Sequence, residues 1–203
     1  MRIRFVLSTC SAALLMFSGH AVAKDNWTGF YTGVYSDFSS VDTHLSPSNG
    51  YVFDVNGFSG GLMFGYDQQF DKFVVGIEGD AGYSGVNGGD TGGNGWVVKM
   101  SGIDLAARAR IGMPISSALI YGTGGVALSP MDMTYNGGSD VLHQTQLGWQ
   151  VGGGIEFALS DTLNLRGEYL YTDYGLSNGL IPAPSVKMQT HSNTFRIGLS
   201  YKF

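Results

Sequence analysis

Period-two alternation of apolar and polar residues recurs along most of this chain and restricts what it can fold into. The last run shows the pattern most clearly. Phe195, Ile197, Leu199, Tyr201 and Phe203 share one face, and Thr194, Arg196, Gly198, Ser200 and Lys202 share the other. Successive side chains of a β-strand point to opposite faces, whereas a helix repeats about every 3.6 residues. The alternation therefore predicts an all-β fold.

Eight candidate strands follow from this pattern, separated by Gly, Pro, Asn and Ser. They cover 30–38, 58–66, 73–83, 103–111, 118–128, 147–159, 163–171 and 194–203. Each is close to the roughly 9–11 residues with which a tilted strand crosses a bilayer. The chain thus has enough strands of suitable length for a small membrane barrel.

The connections between these strands alternate in length. The short ones cover 69–72, 112–117 and 160–162, and the long, polar or Gly/Pro-rich ones cover 39–57, 84–96, 129–143 and 176–191. Short turns on one side and long loops on the other are typical of outer-membrane barrels. We predict an eight-stranded antiparallel up-and-down transmembrane β-barrel with short periplasmic turns and four longer extracellular loops.

The first residues have the features of a secretory signal peptide. A head with two arginines and an apolar run over 5–17 lead to the small residues of Ala21-Val22-Ala23. The apolar run falls short of the ~20 residues that a spanning helix needs, which argues against a membrane anchor. We predict a cleaved signal peptide at 1–23 and a barrel domain at 24–203.

Cleavage changes the charge and the cysteine content. The signal holds two of the 11 basic residues and none of the 16 acidic ones, so the mature chain has 9 against 16 and a net charge of −7. This acidic balance argues against a nucleic-acid partner, which requires a basic surface. The single cysteine, Cys10, leaves with the signal. The mature protein is therefore predicted to contain no disulfide.

The charged residues within the strands alternate with the apolar face. They are Glu78, Asp80, Asp104, Arg108, Arg110, Glu156, Arg166, Glu168 and Arg196. In a soluble barrel such charges would meet water, and lysine would be common among them. Here five acids nearly balance four arginines, and guanidinium groups pair well with carboxylates.

Since an eight-stranded barrel is just wide enough for side chains to fill its interior, we predict that these nine residues form an ion-pair network in a plugged, polar lumen. We assign this network no large net stability, because buried ion pairs lose their hydration.

Other chemistry-bearing residues give weaker patterns. His44, His143 and His191 lie in or beside predicted extracellular loops, without local metal-ligand spacing. If they converged at the barrel mouth they could ligate haem or a metal. Glu78 and Asp80 share a face, as a paired-carboxylate site requires, but nearby arginines favour structural pairing. We therefore predict a non-enzymatic protein without a cofactor.

Several sequence blocks resemble a known family. They are Trp27-Thr28-Gly29-Phe30-Tyr31, Gly76-Ile77-Glu78-Gly79-Asp80, Thr123-Gly124-Gly125-Val126-Ala127, the stretch 165–171 and the closing stretch 195–203. Together they resemble the RopB-like small outer-membrane proteins of alphaproteobacteria. The resemblance implies an OmpA-like barrel at the cell surface. It also implies insertion by the barrel-assembly machinery, with Tyr201 and Phe203 as the assembly signal. The family has no shared catalytic residues to assign to this chain. Some of its members are described as antigens, virulence factors or haem-binding surface proteins.

These observations define the expected function. The barrel is expected to lie among outer-membrane lipids and lipopolysaccharide, and to present loops to a host or other surface ligand. The alternatives are a narrow pore or transporter, and loop-mediated haem binding at the cell surface. Strand number separates the first two classes, because eight strands favour a closed lumen and general porins have about sixteen.

Overall fold

The computed structural model describes residues 26–46, 52–89, 96–135, 142–178 and 187–203. Side chains are described within 26–42, 56–85, 102–130, 145–175 and 189–203. The signal peptide predicted at 1–23 lies outside these ranges and stays a prediction. A helix with the length and hydropathy needed to traverse a bilayer is absent from the described part of the chain.

Eight antiparallel strands form a closed barrel in chain order. They are β1 (Gly29–Ser46), β2 (Val52–Phe70), β3 (Phe73–Gly89), β4 (Trp96–Ile115), β5 (Ala118–Tyr135), β6 (Leu142–Ala158), β7 (Leu163–Asn178) and β8 (Lys187–Lys202). Each strand pairs with its sequence neighbours, and β8 pairs with β1 to close the sheet. The eight-stranded up-and-down barrel is thus confirmed.

The strands are longer than the alternation predicted, with 16 to 20 residues each. Parts of the segments predicted as long loops are strand instead. In the predicted loop 39–57, for example, β1 extends to Ser46 and β2 begins at Val52. Two of the predicted short turns contract, to Asp71-Lys72 and Ser116-Ser117, whereas the third lengthens by one residue to 159–162. Polar, glycine-rich segments were wrongly assigned to loops because cross-strand pairing satisfies their backbone groups, whatever their side chains are.

Two irregularities mark the loop ends of the barrel. The register shifts between Lys99 and Leu105, where Gly102 has a φ of 147° and lies against Pro130 of β5. Proline has no N–H for the ladder, and a bulge in the partner strand accommodates it. A second shift follows Asp173 in β7, around Gly175 with its φ of 71°.

The two faces of the barrel wall differ in chemistry. Outward positions carry large apolar side chains, among them Phe30, Ile77 and Ile197, which are 66%, 68% and 67% exposed. Inward positions carry most of the buried charged and hydroxyl side chains. This is the reverse of a soluble barrel, and it places the apolar belt toward lipid. The polar and charged side chains of the barrel wall are therefore concentrated in the lumen.

Candidate functional site in the barrel lumen

Glu78 of β3 lies near the centre of a buried ionic network. Arg108 Nη2 donates to Glu78 Oε1 at 2.6 Å, and Arg166 Nη1 donates to Glu78 Oε2. The hydroxyl of Tyr31 adds a third hydrogen bond, 2.7 Å to Oε2. A carboxylate with three donors is well compensated for its lost hydration.

Arg166 and Arg110 join this centre to a second carboxylate, Glu156 of β6. Arg166 Nη2 lies 3.0 Å and Arg110 Nη1 3.1 Å from Glu156 Oε2. Arg110 also forms a two-pronged pair with Asp67 of β2, with Nε 2.8 Å from Oδ1 and Nη2 bonded to Oδ2. The network therefore crosses the lumen from β2 and β3 to β6 and β7.

A second group of ion pairs lies toward the loop end. Arg196 of β8 binds Asp37 of β1 in bidentate geometry, at 2.8 Å from Nε and 2.9 Å from Nη2. Its Nη2 also lies 3.3 Å from Asp80, which Arg108 contacts at 2.9 Å. Because Arg108 contacts both Asp80 and Glu78, the two groups form one continuous network. Glu168 lies at its edge, 4.0 Å from Arg196 Nε.

Tyrosine rings enclose the guanidinium groups. Arg110 lies 5.0 Å from the Tyr31 ring centroid and 4.9 Å from that of Tyr121, so the cation is held between two aromatic faces. Arg166 has the same two neighbours at 5.3 and 5.9 Å. A guanidinium over an aromatic face is favoured most where water is excluded. The rings thus occupy space that water would otherwise fill.

An apolar cluster lies at the short-turn end of the barrel. Trp27, just before β1, is 2% exposed and packs with Val74, Leu119, Tyr121 and Ala158. Its backbone N–H donates to the side chain of Gln69 at 2.8 Å, and Gln69 N–H donates to Thr28 Oγ1 at 3.0 Å. These bonds tie the segment before β1 across the end of the barrel.

A polar cavity of about 70 Å³ lies on the loop side of the network. Its lining includes the tyrosines Tyr35 and Tyr174 and the serines and threonines Ser39, Ser59, Ser84, Ser129, Thr172, Ser192 and Thr194. Asp104 also faces this cavity and accepts a 2.6 Å hydrogen bond from Ser129. The volume is sufficient for several water molecules, at roughly 10–15 Å³ each by this measure.

The structure brings together most of the charged residues predicted from the alternation. Seven lie in the network, namely Glu78, Asp80, Arg108, Arg110, Glu156, Arg166 and Arg196. Glu168 borders it, and Asp104 lies apart at the cavity. Sequence reasoning missed Asp37, Asp67, Tyr31, Tyr35, Tyr121 and Trp27. The described lumen thus holds seven carboxylates, not five, for its four arginines.

Part of this missing set was readable from the sequence. Phe30, Val34 and Phe38 share the outward face of β1, so Tyr31, Tyr35 and Asp37 must point inward by alternation. No comparable signal exists for Trp27, which precedes the first strand. Its position depends on the shape of the barrel end.

His44, His143 and His191 lie in β1, β6 and β8, and not in loops as predicted. His191 belongs to the outward face of β8, where Nδ1 is 2.9 Å from the Tyr171 hydroxyl and 3.7 Å from Asp173. His44 pairs in register with Gln189, and His143 with Asp132, but their side chains lie outside the described set. Convergence of the three rings stays a prediction. Among the described residues, no group of three or more His, Cys, Asp or Glu side chains is placed to hold a metal.

The predicted assembly signal lies at the strand that closes the barrel. Tyr201 and Phe203 are exposed on the outer wall, with ring centroids 5.4 Å apart in an edge-to-face arrangement. The backbone N–H of Phe203 donates to Phe30 O of β1 at 2.9 Å. Recognition of these residues by the assembly machinery stays a prediction.

Small inward residues leave space for the tyrosine side chains in the lumen. A Cβ on Gly65 would meet the Tyr31 ring and lie 2.7 Å from the carbonyl of Ile77. We expect Gly65→Ala to cost about 1–3 kcal/mol of unfolding free energy through overpacking. The measurement is urea unfolding in lipid vesicles, in which the gel mobility of unboiled samples gives the folded fraction.

Gly167 of β7 provides the matched control for that substitution. A Cβ there has no atom within 4 Å. Gly167→Ala should leave the urea midpoint unchanged, and an equal loss in both variants would contradict the packing argument.

Comparison with known proteins agrees with this architecture. A family model described as an outer membrane protein beta-barrel domain matches residues 9–203. The chain belongs to this outer-membrane β-barrel family. The 25 kDa outer-membrane immunogenic protein of Brucella melitensis is 33% identical over 211 residues, covering 95% of each chain. The 22 kDa outer membrane protein of Rhizobium leguminosarum bv. viciae is 30% identical, covering 88% of this chain and 79% of its own.

Solved structures agree with the fold of this family. Neisserial surface protein A superposes with a TM-score of 0.57 at 20% identity, covering 87% of this chain and 98% of its own. The predicted location is confirmed, and the chain is an outer-membrane protein. Its similarity to small alphaproteobacterial barrel proteins agrees with the family resemblance in the sequence blocks.

Proposed function

We propose that this outer-membrane protein is a structural, surface-interaction barrel with a plugged lumen, and that it meets other molecules through its extracellular loops. The observation that carries the proposal is the bridge made by Arg166, which binds Glu78 of β3 and Glu156 of β6 across the interior. A guanidinium held by two carboxylates on separated strands obstructs the path that an ion would take.

Two further features support closure. Every strand contributes a side chain to the buried layer, including Asp67 from β2 and Tyr121 from β5. Below this layer the Trp27 cluster replaces polar lining with packed apolar groups. A permeating ion would have to disrupt buried charge pairs and then cross an apolar constriction, and both steps are costly.

We also infer a non-enzymatic role. The candidate acid–base pair of Glu78 and Asp80 is bound to arginines and tyrosines, and the polar cavity that Asp80 borders has a volume of only about 70 Å³. The protein would then interact with other molecules through its outer surface and not through the lumen. The partners we propose are outer-membrane lipids and lipopolysaccharide around the barrel, and a host or surface ligand at the loops. The barrel-assembly machinery would act during insertion.

Conductance across a planar lipid bilayer tests the closed lumen. The mature protein, refolded and shown to change gel mobility on boiling, should give no current steps or only rare small ones. A general porin of about sixteen strands in the same lipid provides the positive control.

Large, stable and reproducible openings would contradict the proposal. The inward charges would then line a pore, and charge reversal at Arg108 or Arg196 should change its ion selectivity. The measurement therefore distinguishes the structural barrel from the narrow-pore alternative.

A further inference from the structure

The polar cavity on the loop side of the ionic network has one lining charge that no described side chain balances. Of its four charged lining residues, Asp37 and Arg196 form a bidentate pair. Asp80 contacts Arg108 at 2.9 Å. Asp104 is the fourth, and within the described part of the chain no arginine, lysine or histidine lies within 4.0 Å of its carboxylate. Because an unbalanced carboxylate inside a barrel is costly, the cavity favours a positively charged occupant.

Neutral oxygen atoms surround this carboxylate. Ser129 of β5 donates to Asp104 at 2.6 Å. On the other side, Gly82 of β3 lies opposite Asp104 in register and has no side chain, and Ser84 follows it on the same inward face. Ser84 is 4% exposed, yet its hydroxyl has no hydrogen-bond partner among the described residues. A buried, unpartnered hydroxyl that lines a cavity beside a carboxylate indicates a ligand that binds oxygen atoms.

The charge and size of the cavity restrict the kind of cation. One unbalanced carboxylate matches a monovalent ion, whereas calcium sites usually combine several carboxylates with other oxygens. A volume of about 70 Å³ accommodates a small ion with a few water molecules, at roughly 10–15 Å³ for each water, but no large organic cation. Such waters can accept from Arg196 Nη1, which has no hydrogen-bond partner in the described structure.

We propose that this cavity binds one alkali-metal cation, held by the Asp104 carboxylate and the Ser84 hydroxyl and completed by water. Oxygen atoms of a protein can replace part of the hydration shell of such an ion. The bound charge balances Asp104 without breaking the pair of Arg196 with Asp37. Asp104 and Ser84 lie on the neighbouring strands β4 and β3, so the closed sheet holds both ligands in place.

Equilibrium binding of radiolabelled sodium to the refolded mature protein in non-ionic detergent tests this site, with tetramethylammonium chloride as the background salt. The wild type should bind one sodium ion per barrel, saturably. Asp104→Asn should weaken binding about tenfold or more, because it removes the charge and keeps the shape. Ser84→Ala removes one neutral oxygen and should weaken binding about threefold. A gel-mobility change on boiling verifies that each variant is folded.

Asp161→Asn is the matched control, since Asp161 is exposed in the turn between β6 and β7. It should bind sodium like the wild type. If Asp104→Asn does not fold, the wild-type stoichiometry and Ser84→Ala decide the question. The proposal is overturned if the wild type binds no sodium saturably or if all variants bind it equally. Displacement of sodium by calcium at concentrations about tenfold lower than by unlabelled sodium would also overturn it, because the site would then be a divalent one.

Discussion

Replacing Arg166 with methionine should cost about 3–5 kcal/mol of unfolding free energy, because the change leaves buried carboxylates without their shared cation. Arg166 donates to both Glu78 and Glu156, and all three side chains are nearly inaccessible. Methionine has a similar length and fills the space. The loss of unfolding free energy therefore comes from the removed charge and hydrogen bonds more than from a cavity. Urea unfolding in lipid vesicles, read from unboiled gel mobility, measures it.

Lys72→Met is the control for Arg166→Met. Lys72 lies exposed in the turn between β2 and β3, and surface charges contribute at most about 1 kcal/mol. A double variant carrying Arg166→Met and Glu156→Gln should recover part of the loss, because it removes one uncompensated carboxylate. If Arg166→Met unfolds at the same urea concentration as Lys72→Met, the network does not hold the barrel together.

Replacing Trp27 with alanine should have an effect of similar size, about 3–5 kcal/mol, through the cavity left in a packed apolar cluster. Trp27 is 2% exposed and packs with Val74, Leu119, Tyr121 and Ala158. In planar bilayers the variant should stay non-conducting, because the Arg166 bridge above it remains. The same gel assay measures stability without depending on tryptophan fluorescence.

Trp149→Ala removes the same residue type from the lipid-facing wall. Trp149 is 49% exposed and contacts Tyr171, with ring centroids 5.6 Å apart. Lipid can fill the space that its ring leaves, so the loss should be much smaller than for Trp27→Ala. Equal losses of unfolding free energy in the two variants would show that burial of Trp27 does not stabilise the barrel. A steady current through Trp27→Ala would show that the ionic network alone cannot close the lumen.

The 33% identity of the chain to the 25 kDa outer-membrane immunogenic protein of Brucella melitensis agrees with its location in the outer membrane.

Strand number, face assignment and membrane location could be predicted from sequence because alternation is a local property. A strand places every second side chain on one face, so Phe195 and Arg196 are assigned to opposite sides without knowledge of any partner. Strand ends could not be predicted in this way. From its sequence, the stretch 39–46 resembles a polar loop. Residues up to 44 nevertheless pair with β2 and residues up to 46 with β8, because hydrogen bonding along a hairpin depends on the backbone.

Alternation along each strand assigns side chains to the lumen, whereas the closed sheet brings particular ones into contact. Asp37 and Arg196 are 159 positions apart and become partners when β8 closes onto β1. Arg166 joins Glu78 to Glu156 because register and closure bring β3, β6 and β7 around one narrow interior. Trp27 has no strand pattern to follow, and its burial depends on the space left at the end of the barrel. Alternation is set between neighbouring residues, whereas pairing across a lumen is set by the geometry of the whole closed sheet.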